Sequence, residues 1–339
     1  MRQLAALTTA AVLLGSCGGG TTAGTSTTTS SSPASTAPTP TASMPTGSSG
    51  WEVLPSMPTP RSELPAVVLG GEIYAVGGYA ANERGRFRAS AVVEAYDPAT
   101  RSWRRVADLP SPRHHAMGAA YGGRLFVFGG FNRGGNPTAT AWSYDTDADA
   151  WASVARMPRG TGAGAAVTAG DFIYVIGGVP KGRSVYRYDP QGDEWTEMAR
   201  LNEPSEHVAA AALDGAIYVV AGRWNGRETA RVEVYDVAAD EWRPTEPVQV
   251  ARGGFGAAAW TGKIVIAGGE LVSARDQLDS VELFDPMTGL WVFGPTMPGA
   301  VHGNGVTAYG DDLYVVGGSS IATDVVNRGD LWVLRGANP

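Results

Sequence analysis

The side chains best suited to chemistry in this chain of 339 residues are four histidines and the carboxylates near them. His114 and His115 are adjacent, Glu206 precedes His207, and His302 stands apart. Imidazole and carboxylate groups transfer protons when their pKa values are tuned, and both bind transition metals. Which chemistry is open to them depends on the elements that bring them together.

The chain contains six similar segments, each a short apolar run that ends in a glycine pair or its equivalent. Successive segments are 52, 48, 44, 47 and 49 residues apart, which indicates one supersecondary unit per repeat. A tryptophan keeps the same period, and in five repeats an aromatic residue followed by an acid lies seven residues before it. The runs are EIYAVGG, RLFVFGG, FIYVIGG, AIYVVAG, KIVIAGG and DLYVVGG, which end at Gly78, Gly130, Gly178, Gly222, Gly269 and Gly318, and the tryptophans are Trp51, Trp103, Trp151, Trp195, Trp242 and Trp291.

Each repeat predicts four β-strands. The first is rich in Ala and Gly, as in AAAAL, and the second is the apolar run. The third alternates apolar and polar residues, as in VEVYD, and the fourth runs from the tryptophan to a proline, as in WRRVADLP. Turn pairs such as Gly70-Gly71 and Asp214-Gly215 suit tight hairpins between the first two strands. Helical periodicity of useful length is absent, so the fold class is all-β.

This pattern resembles the kelch repeat from about Trp51 to Arg335. The resemblance implies a six-bladed β-propeller, with four-stranded blades around a channel. Small residues then fit the crowded strands at the axis, and Trp and Tyr fill the wedge between blades. The sixth repeat lacks a fourth strand, whereas the chain has an unassigned one, WEVLPSMP, starting at Trp51. We therefore expect the N-terminal strand to complete the last blade and close the ring.

Alignment of the repeats on their glycine pairs brings all four histidines into two adjacent columns. These columns belong to the loop that returns from the outermost strand of one blade to the innermost strand of the next. We expect these loops, and the loops after the glycine pairs, at one mouth of the channel, where propellers usually carry function. The candidate catalytic residues are Glu63, Glu206 and His207, and the candidate ligand-binding residues are Arg61, Tyr79, Arg113, His114, His115, Phe131, Asn132, Glu206, His207, Arg223, Trp224, Arg252, Glu270 and His302.

A metal site built from His114, His207 and His302 is an alternative, because these residues come from alternate blades. Residues that face each other across a propeller mouth are usually too far apart to bind one ion. His114 and His115 should also diverge if they lie on an extended segment. We therefore expect no metal and no cofactor, and at most one of the adjacent histidines to point into the mouth.

Residues 1–17, MRQLAALTTAAVLLGSC, combine Arg2 with an apolar run that is too short to span a bilayer but fits an export signal. Leu14 to Cys17 resembles the bacterial lipobox, which implies lipidation of Cys17, the one cysteine of the chain. Residues 18–50 are almost entirely Ser, Thr, Pro, Gly and Ala, and predict a disordered tether before a propeller over 51–339. An ordinary cleaved signal, which would give a secreted protein, is the alternative.

Arg2 is the one charged residue among the first fifty, so 25 of the 26 basic residues and all 33 acidic residues lie beyond it. An acidic domain without a basic run is a poor binder of nucleic acid, because neutralised phosphates supply most of that affinity. We expect a monomeric propeller, anchored to the outer face of a bacterial membrane through its lipid alone, that binds a protein, peptide or glycan at the channel mouth.

A carbohydrate-active enzyme is the alternative function. Some bacterial kelch propellers are sialic acid mutarotases, and this chain is similar to them in offering Glu63 or Glu206, a histidine, and Arg61 or Arg252 for a sugar carboxylate. The copper radical oxidases of the family need a cross-linked tyrosine and cysteine. That chemistry is excluded, because no cysteine lies beyond Cys17.

Overall fold

The computed structural model describes residues 50–81, 86–320 and 327–336. The predicted signal over 1–17 and nearly all of the predicted tether over 18–50 lie outside the described residues. Within the described ranges every regular element is a β-strand. A search of those ranges finds no helix with the length and apolar character needed to cross a membrane.

The strands follow the predicted repeat closely. Their bounds in the first half are β1 (Trp51–Leu54), β2 (Arg61–Ser62), β3 (Ala66–Leu69), β4 (Glu72–Val76), β5 (Tyr79–Ala81), β6 (Phe87–Ala89), β7 (Val93–Asp97), β8 (Ser102–Val106), β9 (Met117–Tyr121), β10 (Arg124–Phe128), β11 (Ala141–Asp145), β12 (Ala150–Ser153), β13 (Ala165–Ala169), β14 (Phe172–Ile176), β15 (Val185–Asp189) and β16 (Glu194–Glu197). Those in the second half are β17 (Ala209–Leu213), β18 (Ala216–Val220), β19 (Arg223–Trp224), β20 (Arg227–Glu228), β21 (Val232–Asp236), β22 (Glu241–Thr245), β23 (Gly256–Trp260), β24 (Lys263–Ala267), β25 (Glu270–Leu271), β26 (Asp276–Gln277), β27 (Val281–Asp285), β28 (Leu290–Phe293), β29 (Gly305–Tyr309), β30 (Asp312–Val316) and β31 (Leu331–Leu334).

Six four-stranded antiparallel sheets form the blades. From the innermost strand outward they are β3-β4-β7-β8, β9-β10-β11-β12, β13-β14-β15-β16, β17-β18-β21-β22, β23-β24-β27-β28 and β29-β30-β31-β1. Each innermost strand contacts the innermost strand of the next blade, and β29 returns to β3. The six-bladed β-propeller expected from the repeats is confirmed.

The innermost strands explain why the sequence is rich in Ala and Gly there. At Gly305, at the start of β29, an added Cβ would lie 2.4 Å from the Cβ of Ala66 in the neighbouring blade. At Gly256, at the start of β23, it would lie 2.5 Å from the backbone nitrogen of Val306. Real carbon atoms cannot approach so closely, so these positions admit no side chain unless the blades separate.

The N-terminal strand completes the last blade, as predicted. β1 pairs antiparallel with β31 over its whole length, from Trp51 opposite Leu334 to Leu54 opposite Leu331. An ion pair between Glu52 and Arg335 reinforces this pairing at 2.7 Å. The two ends of the described chain are therefore joined by hydrogen bonds within one sheet.

The repeated tryptophans link each blade to its neighbour, as the repeat pattern predicts. Each indole Nε1 donates to a backbone carbonyl on the loop that leaves the outermost strand of the preceding blade. The distances from Nε1 to the carbonyl oxygens are 2.8–3.0 Å, the usual length of such bonds. The pairs are Trp51 to Pro295, Trp103 to Pro55, Trp151 to Ala107, Trp195 to Ala155, Trp242 to Ala199 and Trp291 to Glu246.

Candidate functional site

A closed ring of backbone hydrogen bonds surrounds one mouth of the channel. One residue from each return loop donates its N–H to the carbonyl of its counterpart in the preceding blade, at 2.6–3.1 Å. All six residues have positive φ, because the chain must turn sharply there to enter the innermost strand. The ring runs through Glu63, His115, Ala163, His207, Gly254 and Gly303 and closes from Gly303 back to Glu63.

A second layer of backbone pairs lies around this ring. In every blade, the residue before the ring position pairs antiparallel with the first residue after the glycine pair. Both sets of loops therefore open on one face, as the repeat alignment predicts. The pairs are Ser62 with Tyr79, His114 with Phe131, Gly162 with Val179, Glu206 with Arg223, Gly253 with Glu270 and His302 with Ser319.

Three ring side chains converge over the channel. His115 Nε2 lies 2.8 Å from His207 Nε2 and 3.0 Å from Glu63 Oε2. All three side chains are largely buried, with 10–12% of their surface exposed. The remaining ring residues are alanine or glycine, so no other side chain of the ring itself fills the space between the three.

An ionic network continues outward from His207. Its Nδ1 donates to Glu206, since a carboxylate can only accept. Arg223 donates from Nε to Glu206 at 3.0 Å, from Nη1 to Glu270, and from Nη2 to His207 Nε2 at 3.0 Å. On the other side, His302 Nε2 lies 3.7 Å from Glu63 Oε1. The guanidinium of Arg223 is thus occupied by two carboxylates.

The adjacent histidines do not diverge as predicted. His114 is sandwiched between the rings of Tyr79 and Phe131, with centroids at 3.9 and 5.1 Å. Its Nδ1 lies 2.6 Å from Nδ1 of His115. The prediction was wrong because it assumed an extended segment, whereas His115 has a φ of +52°. Of these two histidines, His115 alone lines the channel, and His114 contacts His115 directly.

Burial controls the protonation of the histidines at the mouth. Burial lowers the pKa of His114 to about 3, and His115 beside it acts in the same direction. Burial also lowers the pKa of His207, although the contact with Glu206 opposes this change. His114 and His207 are therefore neutral at neutral pH, and the acceptor nitrogen of His207, Nε2, receives a hydrogen bond from Arg223.

The carboxylates at the mouth remain ionised despite their burial. Burial alone would raise the pKa of Glu63, but the surrounding imidazoles, His115 first, hold it well below its usual range. Burial would likewise raise the pKa of Glu206, and His207 and Arg223 together lower it. The site therefore carries fixed negative charge at neutral pH.

Three of the predicted ligand-binding arginines are structural instead. Arg61 is fully buried and donates to Glu94 at 2.9 Å and to the carbonyl of Gly77, and Arg252 is buried against Glu282. Arg113 is 4% exposed, and its guanidinium packs 4.8 Å from the ring centroid of Trp142. Their long side chains run from the return loops into the blades, so none can contact a ligand at the mouth.

Arg223 is the arginine that the structure brings to the site. Trp224 lies beside it, half-buried, on the short hairpin β19–β20. Asn132 accepts backbone N–H groups of Gly134 and Asn136 through its Oδ1, which closes its own loop. The repeat pattern gave no sign of the three hairpins β5–β6, β19–β20 and β25–β26 above this mouth.

Sequence reasoning missed Gln277, whose Nε2 lies 3.2 Å from His302 Nδ1. It lies on β26, in a hairpin that only some blades have, so no repeat column contains it. The positive φ at the ring position also went unnoticed. Its signal was present, because Gly254 and Gly303 occupy the same column as Glu63, His115 and His207, and glycine is the residue that adopts positive φ freely.

The fold and the mouth define a six-bladed β-propeller with a buried histidine and glutamate cluster on its axis. A model of the KLHDC2/KLHL20/DRC7 Kelch-repeats domain matches residues 43–205, and a Kelch motif model matches residues 205–249 and 251–298. The chain belongs to the kelch-repeat family.

Relatives of known sequence share the repeats at modest identity. Kelch-like protein terF of Aspergillus terreus is 26% identical over 297 residues, which cover 80% of this chain and 65% of that protein. Kelch-like protein 36 of Rattus norvegicus is 28% identical over 269 residues, 76% of this chain and 44% of that one. Beta-scruin of Limulus polyphemus is 25% identical over 278 residues, 80% and 26% respectively. The chain thus spans less than two thirds of the length of these relatives.

A solved structure shows the same architecture. The structure of YjhT superimposes with a TM-score of 0.71 over 82% of this chain and 95% of its own. Sequence identity between the two is 16%, so the likeness concerns the fold alone.

Proposed function

We propose that this propeller is a binding module that holds a protein, peptide or glycan against the mouth lined by His115 and His207. The observation that carries the proposal is the group of half-buried aromatic side chains on this face, namely Tyr79, Phe131 and Trp224. Aromatic residues with one apolar face and one polar edge are enriched where proteins bind partners. Tyr79 lies on β5, Trp224 on β19 and Phe131 in a β-bridge to His114, so their backbones are already ordered and little conformational entropy is lost on binding.

The sugar mutarotase alternative is less well supported by the site. It needs a guanidinium that is available to a sugar carboxylate, and Arg61 and Arg252 are buried in ion pairs within the blades. Arg223 is at the mouth but already contacts Glu206 and Glu270. The excess of carboxylates disfavours an acidic sugar on simple electrostatic grounds. The mouth therefore suits a partner that places no carboxylate next to Glu206 and Glu270 better than it suits an acidic sugar.

Replacement of Trp224 or Phe131 by alanine is expected to weaken partner binding by tenfold or more. Loss of a central aromatic anchor commonly costs about 2 kcal/mol or more of binding free energy. Ligands would first be selected with the full chain from a random peptide display library and a glycan array, and their affinities then measured by calorimetry. The matched control is Tyr309→Ala, because Tyr309 is 41% exposed on the opposite face.

Three outcomes would count against the binding module. One is the absence of any ligand from either collection, and another is an equal loss of affinity in Tyr309→Ala. The third is catalysis: if the full chain interconverted sugar anomers faster than buffer, and Glu206→Ala abolished this, the enzyme alternative would replace it. Glu206 is the variant of choice because it contacts both His207 and Arg223.

The proposed location is the outer face of a bacterial membrane, through a lipid on Cys17. The support for it is the sequence MRQLAALTTAAVLLGSC followed by a segment rich in Ser, Thr and Pro. In a bacterial host, the full chain is expected to incorporate labelled palmitate and to sediment with membranes, whereas Cys17→Ser should do neither. Equal label in both proteins, or a parent chain found free in the medium, would contradict the anchor.

A further inference from the structure

We propose that Glu63, His115 and His207 form a binding site for one divalent transition-metal ion at the centre of the channel mouth. One ligand atom from each of the three lies within 4.8 Å of the others. Two imidazole nitrogens and one carboxylate oxygen are a donor set that suits Zn²⁺, Fe²⁺, Co²⁺ or Ni²⁺ better than Mg²⁺ or Ca²⁺. This set differs from the three-histidine set considered from the sequence, because Glu63 and His115 take the places of His114 and His302.

The distances between the donor atoms fit adjacent ligands of a single ion. With bonds of about 2.1 Å, two ligands at a right angle are ~3.0 Å apart and two tetrahedral ligands ~3.4 Å. His115 Nε2 lies 2.8 Å from His207 Nε2 and 3.0 Å from Glu63 Oε2. Both distances from His115 Nε2 therefore suit neighbouring coordination positions, and the remaining pair of donor atoms lies within 4.8 Å.

The outer nitrogens of both imidazoles have partners of the kind that orient metal-binding histidines. His207 donates from Nδ1 to Glu206, which leaves the Nε2 lone pair directed at the channel. His115 Nδ1 lies 2.6 Å from His114 Nδ1, so a hydrogen bond joins the outer nitrogen of His115 to the His114 ring. A hydrogen bond from the other ring nitrogen fixes the tautomer and raises the basicity of the ligand nitrogen. The Nε2 atoms of His115 and His207 lie 2.8 Å apart, and a cation bound by both would stabilise their lone pairs.

The backbone supports a role for these three side chains beyond packing. Glycine occupies two of the six ring positions, at Gly254 and Gly303, where positive φ costs nothing. Glu63, His115 and His207 adopt φ of 54°, 52° and 50°, a conformation that disfavours side chains with a Cβ. Such local strain is concentrated at functional sites.

The charge of the mouth also favours a cation. Three carboxylates, Glu63, Glu206 and Glu270, lie at the mouth beside the guanidinium of Arg223. Arg223 Nη2 donates to His207 Nε2 at 3.0 Å, so the ion must displace this one hydrogen bond. The guanidinium keeps its bonds to both carboxylates through Nε and Nη1.

The test is titration of the full chain, first stripped with a chelator, with Zn²⁺ by calorimetry and with Co²⁺ by visible absorption. We expect one ion per chain, d–d bands typical of nitrogen and oxygen ligands, and a melting temperature raised by about 5 °C or more at saturation. Glu63→Gln, His115→Asn and His207→Asn should each weaken binding by more than about 100-fold, since loss of an outer-shell partner alone costs 10–100-fold. Asparagine is chosen because it tolerates positive φ.

Two matched controls are Glu197→Gln, which removes an exposed carboxylate on β16, and Cys17→Ser, which removes the one thiol. Both should bind the ion within about threefold of the parent, because neither side chain is one of the three proposed ligands. The proposal is overturned if the parent binds no ion above nonspecific levels, or if either control abolishes binding. The parent titration decides this even where a variant fails to fold.

The metal site and the proposed binding of a partner are tested by separate measurements. The titration uses Zn²⁺ or Co²⁺ alone. Trp224→Ala should bind the ion as the parent does, because Trp224 is not one of the three proposed ligands. If the chain binds the ion but no partner, the metal site is supported and the binding module is contradicted. If it binds a partner but no ion, the binding module is supported and the metal site is contradicted.

Discussion

Deletion of Trp51–Met57 is expected to lower the melting temperature of the full chain by at least about 10 °C, or to leave it aggregated. The deleted segment supplies the outermost strand of the last blade and the buried side chains of Leu54 and Met57. Burial of two such side chains is worth about 3–6 kcal/mol, and each kcal/mol shifts the melting temperature of a large domain by about 2–4 °C. The deletion also exposes the edge of β31, an apolar strand that can pair with another chain.

Point variants on the same strand separate closure from general disruption. Leu54→Ala removes a side chain that is 4% exposed and should cost about 2–5 kcal/mol, whereas Val53→Ala, at a position 62% exposed, should cost less than about 0.5 kcal/mol. Deletion of residues 18–50, the predicted tether, is the length control and should leave thermal unfolding unchanged. If the deletion of Trp51–Met57 melted at the same temperature as the parent, β1 would contribute nothing to ring closure.

The fold was predictable because the same sequence pattern occurs in six repeats, and each copy indicates the same four-stranded unit. A glycine pair, an aromatic residue and a tryptophan recur at matched spacing, and each performs the same task in every blade. The indole of Trp151, for example, donates to Ala107 in the preceding blade, as Trp195 does to Ala155. The crowding that excludes a side chain at Gly305 recurs at Gly256, on the innermost strand of the preceding blade. Averaging over repeats therefore removes the ambiguity of any single one.

The site was less predictable because function lies where the repeats differ. The columns correctly brought Glu63, His115 and His207 to one mouth, but the left-handed backbone that all three share, and that sets their side-chain directions, was not predicted. An extended segment would have sent the adjacent histidines apart. Gln277 lies on a hairpin outside the repeat. Side-chain direction at a turn depends on φ, and a single sequence reports φ only through its glycines.

The roles of the arginines could not be predicted from their residue type alone, but their positions in the repeat are informative. Arg61 and Arg223 both come from loops at the mouth, and their residue type does not distinguish a buried ion pair from a ligand contact. A matched pair of positions distinguishes them. Arg61 and Arg252 lie sixteen residues before the first glycine of their pairs, and the third strands of their blades contain Glu94 and Glu282. A paired charge at matched positions of two repeats indicates a structural salt bridge.

Arg252→Met is expected to destabilise the protein by about 3–5 kcal/mol, the typical cost of leaving a buried charge without its partner. Arg252 and Glu282 are both fully buried. The guanidinium also donates to the carbonyl of Gly268 at 2.8 Å and to the hydroxyl of Ser280 at 3.0 Å. Thermal and denaturant unfolding of the full chain would measure the loss as a lower melting temperature and a lower denaturant midpoint.

The matched control is Arg200→Met, which breaks the exposed pair with Glu197. There the side chains are 65% and 52% exposed, so solvent screens the attraction and the loss should be within about 1 kcal/mol. The double variant Arg252→Met with Glu282→Leu should lose less than the single variant, because no unpaired carboxylate remains. Equal stability of Arg252→Met and the parent would show that the pair is not buried as described.

The same variant decides whether Arg252 belongs to the site. Its guanidinium is directed into the fifth blade toward β27, whereas Arg223 contacts His207 at the mouth. At a temperature where Arg252→Met is still folded, binding of Zn²⁺ or of a selected ligand should therefore match the parent within about twofold, as expected for sites that share no contact partner. A selective loss of binding in the folded variant would return Arg252 to the ligand-binding residues that the sequence suggested.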